Sequence, residues 1–242
     1  MNKADRIKRM KVPAPVGPGL AKRLPPGQIL TERFPILHEG DVPVYDMNEW
    51  TLRVFGEVDQ EVTLSYEEIM AMPQVTVTSD IHCVTRWSRF DNAFTGVRFR
   101  DFLQAIGVTP RANFVMLHGD HDYTANVPLA DLERDDVLLA HSFDGERLTD
   151  KHGWPLRLVV PHLYFWKSVK WIRGIEFMTE NKPGFWEQNG FHLIADPFRE
   201  ERFSGEALPI PEDEWEKKEF DCDVDKSKDR SRTTPKARHR VR

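Results

Sequence analysis

Apolar and β-branched positions fall in short runs broken by turn residues. Alternation over these runs predicts strands at Thr51–Phe55, Gln74–Cys83, Asn113–Leu117, Tyr123–Val127, Val137–Ser142, Leu156–Val160 and Val169–Met178. Helical spacing is rarer. Phe99, Phe102, Leu103 and Ile106 recur at i, i+3, i+4 and i+7, and Gly107 supplies a left-handed stop. Ser65 with Glu68 forms a capping box for a short helix reaching Met72, and Leu129–Leu132 accommodates another. Asp144-Gly145 marks a tight turn after the Val137–Ser142 strand. Strands outnumber helices and do not alternate with them regularly. The pattern therefore argues against a doubly wound parallel sheet and for an α+β chain with mixed or antiparallel sheets around one core. The chain shows no internal repeat and no glycine-rich phosphate loop.

The two ends differ from the middle. Residues 1–30 mix basic side chains with Pro13, Pro15, Pro18, Pro25 and Pro26, which resist helix and ladder formation and predict an extended arm. Residues 31–212 carry the hydrophobic pattern of one folded domain. Residues 213–242 are almost wholly charged or polar and are expected to form a mobile, solvated tail.

Across 242 residues, 40% are hydrophobic and 11% aromatic, enough for a substantial core. Lysine and arginine number 34 against 39 acidic residues, a net charge of -5 that gives no general attraction to nucleic acid or an acidic membrane. Any anion site must be local. No stretch is apolar over the ~18 residues that a spanning helix needs, and the opening residues resemble neither a signal peptide nor a twin-arginine signal. Membrane insertion is therefore not expected. The only cysteines are Cys83 and Cys222, too few for a disulfide framework, so a reducing compartment, by default the cytoplasm, is expected.

Cys83 is the residue with the most chemistry to explain. It ends the predicted Gln74–Cys83 strand and leads into Val84-Thr85-Arg86-Trp87-Ser88-Arg89, so its thiol sits where a strand becomes reachable. Arg86 and Arg89, folded over the sulfur, would favour the thiolate, a nucleophile or soft metal ligand. A structural zinc site needs four ligands, and His82 points to the opposite face of a strand. A metal-free thiol enzyme would need a histidine base, with His118, His121, His152 and His162 as candidates.

The segment around Cys83, followed by Gly153-Trp154-Pro155-Leu156-Arg157-Leu158-Val159-Val160-Pro161 and by Trp166-Lys167-Ser168-Val169-Lys170-Trp171-Ile172, resembles a known family. It is similar to the molybdopterin-binding domain shared by sulfite oxidases, assimilatory nitrate reductases and methionine-sulfoxide reductase catalytic subunits, over roughly residues 31–200. The resemblance implies a sulfite-oxidase-type molybdopterin-binding fold, mixed or antiparallel sheets with short helices. It implies a molybdenum–molybdopterin cofactor with Cys83 as the protein ligand to the metal. Arg157, Lys167, Ser168, Val169 and Lys170 match the segment that meets the cofactor's anionic end, where a guanidinium fork suits a phosphate. His38, His118 and His152 match positions of polar cofactor contacts. Arg86 and Arg89 would attract a substrate oxygen, although the arginines after Cys83 are spaced differently from those of sulfite oxidases.

The implied activity is oxygen-atom transfer to or from a small sulfur- or nitrogen-containing substrate. Electrons would pass singly to a separate electron-transfer protein, because the chain holds no haem, iron–sulfur or flavin motif. A monomer is expected, since the chain is too short to carry the extra domains of longer relatives. Two other readings stay open: the metal-free thiol enzyme, and a cofactor-binding module without turnover.

Overall fold

The structure, a computed structural model, describes residues 18–204. Most of the expected arm and the whole of the expected tail, residues 213–242, lie outside the described residues. The strands within it are β1 (Ile29–Leu30), β2 (Thr51–Gly56), β3 (Val62–Ser65), β4 (Gln74–His82), β5 (Trp87–Arg98), β6 (Phe114–Gly119), β7 (Thr124–Pro128), β8 (Leu138–Phe143), β9 (Glu146–Arg147), β10 (Arg157–Val159) and β11 (Ile172–Met178). The fold is the expected α+β class, with mixed sheets and few, short helices.

One sheet is organised around β5, which pairs antiparallel with β4 and β8 and parallel with β1; β8 in turn pairs with β9 and β10. The other runs β3-β2-β11-β6-β7, with β11 parallel to β2 and antiparallel to β6. The sheets pack face to face. Leu52, Val54, Val115, Leu117, Ile175 and Phe177 from the second meet Val97, Leu139 and Leu158 from the first. Each is at most 1% exposed, so this layer holds most of the apolar burial that stabilises the fold. Period-two alternation sends Arg157 and Val159 of β10 to the other face of the first sheet, where Phe94, Phe165 and Ile81 form a second apolar layer. That face carries the site.

Local signals behave as their chemistry requires. The Ser65 hydroxyl accepts from the Glu68 amide at 3.2 Å and the Glu68 carboxylate from the Ser65 amide at 2.7 Å, capping a helix at Tyr66–Met70. The Phe99–Ile106 helix buries Phe99 and Phe102 and stops at Gly107, with φ 75°. Leu129–Leu132 is helical.

Three differences from expectation matter for the site. The longest strand, β5, occupies residues for which no strand was expected, and its buried Ser88 and Asn92 are satisfied by hydrogen bonds, not by apolar packing. The last strand starts at Ile172, not Val169, because Phe165–Lys167 forms a 3-10 turn. Residues 18–30 are seated on the body: Leu24 and Gln28 are buried and β1 pairs with the start of β5. Among the described residues, no helix is long and apolar enough to cross a membrane.

Candidate functional site

Cys83 lies at the mouth of the hairpin that joins β4 to β5. Its amide donates to the Trp87 carbonyl at 2.8 Å and its carbonyl accepts from the Arg86 amide at 3.0 Å, closing a three-residue loop. The third loop residue, Arg86, takes the left-handed conformation such a loop demands, with φ 70°. The Thr85 hydroxyl donates to the Cys83 sulfur at 3.1 Å, a contact that favours the thiolate. The side chain, 7% exposed, faces a cleft of about 1140 Å3, open solvent at its mouth included.

A cationic floor faces the same cleft. Arg157 is buried, and its guanidinium donates to the carbonyls of His152 at 2.9 Å and Ser168 at 3.0 Å. Lys170 donates to the Lys151 carbonyl at 2.7 Å. Burial lowers Arg157 to about 9, and burial with Arg157 alongside pushes Lys170 well below the ordinary lysine value. Among the described residues, no carboxylate pairs with either cation. Two adjacent, poorly solvated positive charges, hydrogen-bonded only to carbonyl oxygens and lying over the Phe165 and Trp171 rings, are strained alone and stabilised by an incoming anion, so the donor set fits a phosphate. Ser168 steadies the floor: its hydroxyl accepts from the Val160 amide at 2.9 Å. His152 stacks on Phe34 at 4.2 Å and bonds Thr149 at 2.8 Å and the Phe34 carbonyl at 3.2 Å. Burial, reinforced by Lys170 and Arg157, holds its pKa at about 4, so the ring is neutral at pH 7. His38 also lines the cleft, bonded to the Gly40 carbonyl at 2.9 Å and edge-on to Trp171.

Around Cys83 the cleft wall is apolar: Leu37, Val84, Trp87, Trp166, Trp186 and Phe191. The structure thus brings Cys83, His38, His152, Arg157, Ser168 and Lys170 around one cleft.

The other expected site residues lie outside that cleft. Arg89 is drawn sideways to Asp144 at 3.1 Å, to Asn92 and to the Glu32 carbonyl at 3.2 Å. Arg86 turns away and donates to the Gly27 carbonyl at 3.3 Å. Lys167 is fully buried against Glu187 at 2.6 Å, with further bonds to Asn126 and the Leu193 carbonyl. Val169 packs into the main core between Ser168 and Lys170. His118 pairs with Glu176 at 3.0 Å, and His121 and His162 bond the Asp41 carbonyl and Asp131. Thr85 and Tyr123 line the cleft without having been anticipated. A hydroxyl two residues beyond the cysteine, across a tight loop, was the available signal for Thr85. Tyr123, whose hydroxyl bonds the Trp166 carbonyl at 2.7 Å, had none.

A thiol and an unpaired cationic floor sharing one cleft, on a two-sheet α+β scaffold, define a domain built to hold an anionic cofactor beside a soft ligand. Residues 39–186 match the oxidoreductase molybdopterin-binding domain, and the chain belongs to that family, as an oxidoreductase with a molybdenum–molybdopterin cofactor.

It is 51% identical over 183 residues to the uncharacterized oxidoreductase YuiH of Bacillus subtilis, covering 75% of this chain and 92% of the relative. It is 29% identical over 174 residues to a putative protein-methionine-sulfoxide reductase subunit, YedZ1, of Azospira oryzae, covering 70% of this chain and 66% of that one. Mitochondrial sulfite oxidase of Drosophila melanogaster is 29% identical over 187 residues, 66% of this chain but only 32% of the relative. The crystal structure of the sulfane dehydrogenase SoxCD from Paracoccus pantotrophus shares the fold, with a TM-score of 0.56 at 22% identity over 63% of this chain and 43% of that chain.

Proposed function

We propose that this protein catalyses oxygen-atom transfer to or from a small, uncharged sulfur- or nitrogen-containing substrate, with Cys83 as the protein ligand to molybdenum. The observation that carries the reading is the single cleft onto which both the Cys83 thiol and the uncompensated Arg157 and Lys170 cations open. When bound, the molybdenum–pterin group supplies two-electron redox chemistry. Arg157 and Lys170 would bind its anionic end, Ser168 fixes the loop that carries Lys170, and His38 and the neutral His152 ring would offer polar contacts to the pterin. Thr85 holds the Cys83 sulfur in its rotamer by the hydroxyl contact.

The wall of the cleft argues for the class of substrate. Sulfur and nitrogen oxyanions need cationic donors at the reacting centre. Here the arginines nearest Cys83 in sequence, Arg86 and Arg89, lie outside the cleft, and its other charged lining residues, Glu39 and Asp120, are acidic. Leu37, Val84, Trp87 and Phe191 offer an apolar surface that suits a sulfoxide, thioether or N-oxide better than sulfite or nitrate. Electrons exchange with a separate redox protein. A metal-free thiol mechanism is less well supported, because the rings of His118, His121, His152 and His162 each bond a group other than the thiol.

The test is expression in a cofactor-competent host, with metal and pterin assays on the wild type and Cys83→Ser, and turnover with an artificial electron carrier. The wild type should hold molybdenum and pterin in equal amounts, and Cys83→Ser should keep pterin better than turnover. Equal turnover by both forms removes Cys83 as the functional ligand. A higher kcat/KM for sulfite or nitrate than for a simple sulfoxide removes the uncharged-substrate assignment.

A further inference from the structure

The tip of the Cys83 hairpin is gripped from outside. Gln28 is buried and its amide donates to the Cys83 carbonyl at 3.0 Å. Arg202, 4% exposed, donates to the neighbouring Val84 carbonyl at 2.7 Å and to the Pro26 carbonyl at 3.3 Å. The Ile29 amide donates to the Arg86 carbonyl at 2.9 Å, and the Arg86 guanidinium reaches back to the Gly27 carbonyl. Segments 26–29 and 202 are thereby laced to residues 83–86 by four hydrogen bonds and to each other by a fifth, three of the five coming from buried guanidinium groups. Gln28 and Arg202 both lie outside the residues that match the family domain, 39–186.

Fold stability alone is a poor account of this arrangement. Burying Arg202 beside Arg86 is electrostatically unfavourable, and the Arg202 Nε atom and the Tyr164 hydroxyl beneath its guanidinium are buried without hydrogen-bond partners among the described residues. A left-handed residue at the third loop position is strained for any side chain but glycine. Arginine stands there, reaching the strap. The strap itself passes so close that a Cβ on Gly27, at φ 70°, would fall 2.6 Å from the Arg86 guanidinium. What these contacts do achieve is to fix both peptide planes that follow the Cys83 Cα.

We infer that Gln28 and Arg202 are positioning residues: they clamp the Cys83 and Val84 carbonyls from outside the family domain and so set where the Cys83 sulfur meets the metal. The inference rests on the reading of Cys83 as the ligand. Loss of either clamp leaves the thiolate able to bind but free to adopt more than one orientation.

The test uses cofactor-loaded Gln28→Met and Arg202→Lys proteins, with molybdenum and pterin content, the Mo(V) electron paramagnetic resonance spectrum, and amide hydrogen exchange by mass spectrometry. Both variants should keep molybdenum and pterin, yet give a shifted or multicomponent spectrum. Exchange at the Cys83 and Arg86 amides should accelerate about 10- to 100-fold, the range set by losing a hydrogen bond to a charged or buried group, while β6 and β11 stay protected. A wild-type spectrum in both variants overturns the clamp, as does acceleration spread evenly over both sheets. If neither variant accumulates, the wild type decides: Cys83 and Arg86 amides exchanging as fast as an open loop overturn the clamp, and protection matching the interior of β5 supports it. Cys83→Ser separates the two ideas, because an unchanged Mo(V) spectrum in that protein removes the ligand reading while leaving the exchange result standing.

Discussion

Replacing Arg157 with methionine separates a binding cation from a structural one. In the cofactor-free protein burial lowers the guanidinium pKa from its ordinary value to about 9. At 1.36 kcal/mol per unit, the buried charge costs roughly 5 kcal/mol. Removing it also strands the His152 and Ser168 carbonyls, each a loss of about 1–3 kcal/mol. The two effects nearly cancel, so cofactor-free Arg157→Met should lie within about 3 kcal/mol of wild type, a melting shift of about 10 °C or less for a domain of this size. The cofactor-loaded state behaves oppositely. Two charge-assisted bonds to an anion are lost, and pterin retention should fall about 100-fold or more. Differential scanning fluorimetry of protein from a pterin-deficient host, with pterin analysis of protein from a competent one, reads both quantities. A variant that melts more than about 10 °C lower without cofactor, yet retains pterin like wild type, would refute the reasoning.

Two further outcomes follow from buried charge. His82 and His152 are both held at about 4 by burial, below the free value of 6.5, so each contributes stability that is complete above pH 6.5 and lost as pH falls to 4. The loss is roughly 3 kcal/mol apiece; urea midpoints of cofactor-free protein that stay flat from pH 7 to 4.5 would contradict it, and bound cofactor, whose anion favours charged His152, should soften the fall. Glu187→Gln leaves Lys167 buried without its carboxylate and should destabilise by about 3–5 kcal/mol in urea titration. The double variant Lys167→Met with Glu187→Leu should recover much of that, and equal losses in single and double variants would show that the ion pair is not the source.

How far the sequence foretold this depends on the range of each interaction. The Ser65–Glu68 box, the Gly107 stop and the Leu129–Leu132 helix are short-range, and all were legible. The alternation of Ser168 and Lys170 against Val169 also survives, although the segment is not a strand: two face the cleft and the third the core. Strand β5 was hidden because its buried positions include Ser88 and Asn92, whose burial depends on His82, Ser79 and Arg89 and not on hydrophobicity. Lys167 resembled a cofactor ligand until its partner, Glu187, arrived from a separate turn of the chain. Nearness in sequence misled for Arg86 and Arg89, which the hairpin carries round to its outer side.

The central place of β11 in its sheet has a consequence for biosynthesis. This strand is the last of the sheet to be translated, yet it joins β2 to the β6-β7 pair, with Gly174 opposite both Arg53 and His118. While the ribosome has yet to release residues 172–178, the emerging chain exposes two unpaired, sticky strand edges. Nascent chains halted before Ile172 should therefore depend on chaperones, and the two halves of this sheet can join only once residues 172–178 have emerged.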